Sequence, residues 1–265
     1  MRIFIITMDD PVYTVPFFKE ILEKRHNDVV GLAVPQGDRL TIGKNRSKTT
    51  YLLSLLLIMG LPSFMKYSLI TYGYKLKKKL SGKVPGVNDP SIIAVAKEYG
   101  IPTHEIKTPN SKSFRAMLRE LKPDVIINQS QSIIKKELLE IPTIGVLNRH
   151  NALLPKNRGR LTPFWVMKKG EKETGVSIHF VDEGIDSGQI VVQEKFPVEK
   201  DDTFNTIVRK NYTLAAKAML KALDVLERGD YKLLDNPDDA ATYNTVPTFK
   251  DALQYRASRL KKAFS

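Results

Sequence analysis

The chain has 265 residues, 42% of them hydrophobic and 27% charged, enough for one large α/β core with a small addition and too apolar for wholesale disorder. It contains no cysteine, which excludes disulfides, thiolate metal sites and cysteine nucleophiles. Lysine and arginine outnumber aspartate and glutamate by 42 to 29, a net charge of +13, which fits an anionic partner without identifying it.

The opening MRIFIITMDD has too short an apolar run and too early an acidic pair for a secretory signal. It reads as a buried strand, Arg2 to Thr7, and the expected location is the cytoplasm, with a peripheral membrane contact considered below. A helix over 16–25 and a strand over 28–34 complete a βαβ opening. The intervening TMDDPVYT has no glycine, so the dinucleotide fingerprint is missing there. From Pro90 onward, PSIIAVAKEYG reads as a helix, THEI as a strand, SKSFRAMLREL as a helix and DVIINQS as a buried strand. A short helix near 133–139 and a strand at IGVLN follow. GVSIHFV (175–181) and QIVVQEKFPV (189–198) form a hairpin-like pair around the loop DEGIDSG, followed by a long helix over about 202–228 and a polar tail that wraps the core or frays. No repeat of 20 to 50 residues is present.

These elements predict an α/β fold: a Rossmann-like, mostly parallel sheet with helices on both faces, a helical insert and a small C-terminal appendix. The expected division is a catalytic domain over 1–195, with an insert at 40–89, and a helical appendix over 196–265. The insert breaks the pattern. Between Thr49 and Tyr74 it carries one charge, Lys66, and KLKKKL follows at once. The uninterrupted apolar part, Tyr51 to Met59, is far shorter than the roughly 20 residues of a spanning helix. Two readings stay open for residues 49–80: a pair of helices buried in the core or in a homo-oligomer interface, or a peripheral membrane contact backed by Lys75, Lys77, Lys78 and Lys79.

The segment most informative about chemistry is LNRHNALLPKNRGRLTPFW. Asn148 and His150 lie two apart at the exit of a strand, so in extended backbone their side chains point the same way. An amide can donate to a developing oxyanion, and an imidazole can exchange a proton near neutral pH. A carboxylate to hold the ring could be Asp182, Glu183 or Asp186; spacing alone does not choose among them. Asp9 and Asp10, after the first strand, could hold a sugar hydroxyl or an incoming ammonium, or could cap the next helix. His179 matches an interior strand position and is as readily structural as functional. Trp165 and Phe164 read as core. No residue set is put forward as metal ligands.

Asn148-x-His150 with Leu153-Leu154-Pro155 and Arg158-Gly159, then Glu173-Thr174-Gly175-Val176 with His179, and Asp182-x-Gly184-x-Asp186-x-Gly188, resembles the formyltransferase family that includes methionyl-tRNA formyltransferase, glycinamide ribonucleotide transformylase and the sugar N-formyltransferases. The resemblance is carried by residues 90–195. It implies Asn148, His150 and Asp186 as the catalytic set and 10-formyltetrahydrofolate as co-substrate. The implied pterin pocket is lined by Gln131, Ser132, Ile133 and Ile134 together with Val181, Asp182, Glu183, Gly184 and Ile185. Arg158 and Gly159, with Asp9 and Asp10, are the expected acceptor contacts. After the histidine the family has Gly or Pro and then Ser, whereas this chain has Asn151 and Ala152.

The acceptor follows by elimination. There is no glycine-rich phosphate loop after the first strand, and the 75 residues after Ile190 read as largely helical rather than as a separate β-domain. An anionic small-molecule amine, an amino sugar that is nucleotide-linked or lipid-linked, is therefore expected, and nucleic acid is not. Formylation of methionyl-tRNA, hydrolysis of the donor and a silent folate-binding or membrane-docking role are the rivals.

Overall fold

A computed structural model describes residues 1–36, 47–229 and 231–263. Residues 40–46 of the expected insert lie outside them. The chain runs β1 (Ile3–Thr7), α1 (Thr14–Arg25), β2 (Val29–Pro35), α2 (Lys48–Met59), α3 (Leu61–Leu80), α4 (Ile92–Glu98), β3 (Thr103–Ile106), α5 (Lys112–Leu121), β4 (Val125–Gln129), α6 (Lys136–Leu139) and β5 (Gly145–His150). It continues through β6 (Arg158–Gly159), α7 (Thr162–Lys169), β7 (Glu173–Phe180), β8 (Ile190–Pro197), α8 (Phe204–Arg228), β9 (Tyr243–Asn244) and α9 (Phe249–Ala263).

Among the described residues seven strands make one sheet in the order β3-β2-β1-β4-β5-β7-β8. The first five are parallel, and β7 and β8 join antiparallel. In the interior strand β1 every residue is buried, and the period of two divides them. Ile3 and Ile5 meet Phe17, Ile21 and Leu22 of α1 and Met219 and Leu223 of α8. Phe4 and Ile6 meet Phe114 and Leu118 of α5 and Leu138 of α6. The expected mostly parallel sheet with helices on both faces is thus what forms, and GVSIHFV with QIVVQEKFPV is its antiparallel edge pair.

One expectation needs correcting. α8 is no appendix: its face of Ala215, Ala218, Met219, Ala222, Leu223 and Leu226 is buried in the main core, because small residues at helical spacing let the helix sit closely on the sheet. The polar tail wraps the core and ends in a helix. β9 pairs with β6, and Ala252 and Tyr255 of α9 pack with Ile58 of α2, Phe164 of α7 and Phe204 and Val208 of α8. The insert supplies α2 and α3. No helix among the described residues is long and apolar enough to cross a membrane.

Candidate active site

β4 and β5 run side by side in register, with Asn128 opposite Asn148, and β7 lies on the other side of β5 with His179 opposite Asn148 and Ser177 opposite His150. Sheet register therefore brings one amide and two imidazoles to adjoining positions. The His150 and His179 ring centroids are 6.3 Å apart. Asp186 reaches both: its Oδ2 lies 3.4 Å from His150 Nδ1 and its Oδ1 lies 3.7 Å from His179 Nε2. Of the three loop carboxylates left open by spacing, Asp186 is the one at the histidines. Asp182 instead accepts from Gly184 N–H and the Ser187 hydroxyl and shapes its own turn.

The carboxylate is held from several directions. Asp186 has φ +49°, a left-handed conformation that costs a non-glycine residue energy and persists only when its surroundings impose it. Asn236 Nδ2 donates to its carbonyl at 2.9 Å, and Gly159 N–H donates to Oδ2 at 2.8 Å. Gly159 itself has φ +100°, and a Cβ there would lie 2.1 Å from Asn244 O. Only glycine lets β6 press against β9 while pointing its N–H at the carboxylate.

Both ring nitrogens of His150 face acceptors: Nε2 lies 2.8 Å from Asn157 O, and Nδ1 faces Asp186. The buried ring is therefore held in orientation from both sides. His179 is fully enclosed, and burial pulls its pKa from 6.5 down to about 4, against the attraction of Asp186. Its Nδ1 faces Phe180 O at 2.8 Å. It is a neutral wall of the site near neutral pH.

The amide of Asn148 is oriented by residues that the sequence reading did not single out. Gln129 Nε2 donates to Asn148 Oδ1 at 2.6 Å, and Gln129 Oε1 accepts from Arg149 Nε at 2.9 Å. Arg149 is buried, donates to Asn151 Oδ1 and to the Tyr212 hydroxyl, and stacks on the Tyr212 ring at 4.2 Å. With its oxygen engaged, Asn148 has its Nδ2 donor left for a carbonyl oxygen. Asn151 belongs to this relay, and Ala152 is fully buried.

The expected acceptor contacts fare differently. Arg158 is fully buried, and its guanidinium donates to Asp238, Tyr243 and Asn236 of the tail. Together with Gly159 it joins the tail to the site, a correction that follows from partners some 80 residues away. Asp10 caps the turn before α1, accepting from Val12 N–H and Tyr13 N–H. Asp9 is buried and accepts from the Tyr74 hydroxyl, from Lys78 Nζ at 2.7 Å and from Ile92 N–H at 3.1 Å. Burial opposes its ionisation, but the bonds from Lys78, Tyr74 and Ile92 outweigh this and lower its pKa below the usual carboxylate value.

Of the loop residues expected around a pterin, Ile133 and Ile185 project into solvent at 83% and 63% exposure, whereas Ile134 is buried in the α5–α6 core. Val181 N–H donates to Val146 O at 2.7 Å, and Ile133 O accepts from Asn110 Nδ2 at 2.8 Å. Glu183 and Gly184 are exposed, and Gln131 and Ser132 lie on the loop after β4. Among the described residues no group of three or more His, Asp or Glu is arranged to hold a metal ion.

The formyl transferase family matches residues 76–223 of the chain. A methionyl-tRNA formyltransferase of Kosmotoga olearia is 36% identical over 172 residues, 64% of this chain and 55% of that protein. One from Wolbachia sp. subsp. Drosophila simulans is 34% identical over 226 residues, 79% of this chain and 74% of that protein. Among solved structures, the N-formyltransferase of Helicobacter canadensis in complex with folinic acid and dTDP-3-aminofucose is similar with a TM-score of 0.59 at 17% identity. That match covers 92% of this chain and 71% of the other, a likeness of fold. The chain thus spans little more than half the length of the first of these relatives.

Proposed function

Because the chain belongs to the formyl transferase family, we propose that it moves a formyl group from 10-formyltetrahydrofolate to the amine of an acceptor, with Asn148, His150 and Asp186 as the working groups. The observation that carries this reading is the meeting of His150 with Asp186 beside an Asn148 amide whose oxygen is already bound by Gln129.

In this reading the acceptor nitrogen attacks the formyl carbon. Asn148 Nδ2 donates to the carbonyl oxygen as it gains negative charge. A bond from the acceptor nitrogen to carbon forms, the carbon to N10 bond of the folate breaks, and the proton lost by the amine ends on N10, with the His150–Asp186 pair handling it in between. Asp186 holds the ring and its charge during the transfer. The loops at 131–134 and 181–185 take the pterin, largely through backbone groups. Exposed Ile133 and Ile185 supply apolar cover for its ring.

For the acceptor we favour an amino sugar. Asp9, just beyond the end of β1, is covered by Tyr74 and Lys78 of α3, which narrows this side of the fold, and the chain as a whole carries a net charge of +13. Both features suit a small anionic amine, nucleotide-linked or lipid-linked. A second reading, methionyl-tRNA as acceptor, is favoured by the relatives of that name at 34–36% identity. The discriminating experiment supplies 10-formyltetrahydrofolate with either a set of nucleotide-linked amino sugars or methionyl-tRNA and follows release of tetrahydrofolate. Acceptor-dependent release with an amino sugar supports the first reading, release with methionyl-tRNA replaces it by the second, and release with no acceptor points to hydrolysis.

A further inference from the structure

α3 is held to the protein by one face. Ser63 Oγ accepts from Asn205 Nδ2 at 3.0 Å, Tyr67 packs on Tyr13, and Tyr74 and Lys78 bind Asp9. The opposite face carries Leu61, Met65, Leu69, Tyr72 and Leu76, between 44% and 68% exposed. Their spacings of four, four, three and four keep them on one stripe, which runs about 22 Å at 1.5 Å per residue. At about 100° per residue, exposed Lys75 and Lys79 border the stripe on one side and Lys66 and Lys77 on the other.

Charge identifies what this face can meet. No aspartate or glutamate occurs between Asp38 and Asp89, a stretch that holds ten lysines and arginines. A second copy of the chain docking by the same face would set these cations against each other. Nucleic acid would use the lysines and leave five large apolar side chains without a role. An apolar stripe flanked by lysines, on a helix too polar to span, suits the boundary between headgroups and acyl chains of an anionic bilayer. Lysine stems can lie along the apolar surface while the ammonium groups reach the phosphates.

We propose that the outward face of α3 docks the protein on membranes rich in anionic lipid, with Leu61, Met65, Leu69, Tyr72 and Leu76 entering the interface and Lys66, Lys75, Lys77 and Lys79 meeting the headgroups. This surface is independent of the acceptor assignment. Docking through α3 brings the Asp9 side of the molecule, to which the helix is bound, close to the lipid surface.

The test is flotation of the full chain with phosphatidylcholine vesicles, with and without phosphatidylglycerol, alongside light scattering of the protein alone and retention on immobilised tRNA. The wild type should float with the anionic vesicles and be released by salt. The L69E/Y72E variant should lose at least tenfold in vesicle binding with an unchanged melting temperature, since both side chains face away from the core. Should glutamate unfold the helix, K75S/K79S keeps the test: it should weaken anionic binding on the order of 20-fold, at roughly fivefold per lysine, and leave binding to neutral vesicles unchanged. Wild-type flotation that ignores lipid charge, or flotation insensitive to both variants, would overturn the proposal. So would absence of flotation together with self-association or tRNA retention that L69E/Y72E removes.

Discussion

The chemistry attributed to Asn148 depends on a glutamine two strands' width from the loop carboxylate. Gln129 Nε2 binds Asn148 Oδ1 while Gln129 Oε1 receives Arg149, so Q129E keeps an acceptor for the guanidinium and removes the donor for the amide. The asparagine then turns its own nitrogen to the carboxylate and presents oxygen to the formyl carbonyl. Loss of one donor to a developing oxyanion costs about a hundredfold or more in turnover. Steady-state kinetics on Q129E should show kcat reduced by about that factor, with KM for the folate and thermal stability near wild type; equal loss in stability would mean that Gln129 serves only the fold. The pairing of Asn148 and His150 was legible from their spacing, because two residues is the period of a strand. Gln129 was not: its contact with Asn148 requires knowing that β4 and β5 are neighbours in a particular register. Asp186 was separable from Asp182 and Glu183 only through resemblance, since loop direction leaves no periodic trace.

The elements follow from hydrophobic patterning more closely than the site does. Buried strands such as Ile3–Thr7 and Val125–Gln129 announce themselves as apolar runs, and α5, whose Phe114 and Leu118 face the sheet, as an amphipathic segment. What patterning could not supply is the attachment of α3. Asp9 reads locally as a helix cap, yet its carboxylate is taken by Tyr74 and Lys78, more than sixty residues later. Because its folded pKa is lowered, Asp9 contributes stability that is fully present above the unfolded-chain value near 3.8 and is lost as pH falls through the lower folded value. D9N should therefore lower stability by about 2 kcal/mol at neutral pH. The wild type and D9N should converge on the acid side in urea unfolding followed from roughly pH 6 to pH 2. A constant gap across that range would assign the loss to packing instead of to the ion pair.

The molecule as a whole is closed by its tail. Arg158, Asn236, Asp238, Tyr243 and Asn244 knit residues after α8 to the strand that holds Gly159 against Asp186. R158M leaves Asp238 and Asn236 without their buried donor, so residues 231–248 should become accessible to limited proteolysis before the sheet does. Turnover should fall as Asp186 loses its restraint, while folate binding, which rests on other loops in this account, should change little. Proteolysis no faster than in the wild type would show that the tail is held by β6–β9 pairing and α9 alone. The most direct measurement is acceptor-dependent release of tetrahydrofolate from 10-formyltetrahydrofolate by the wild type, H150A and D186N, with folate binding measured in parallel. Both variants should bind the folate as the wild type does and lose about a hundredfold to ten-thousandfold in turnover. Turnover that survives in H150A and D186N would contradict the role given to the His150–Asp186 pair.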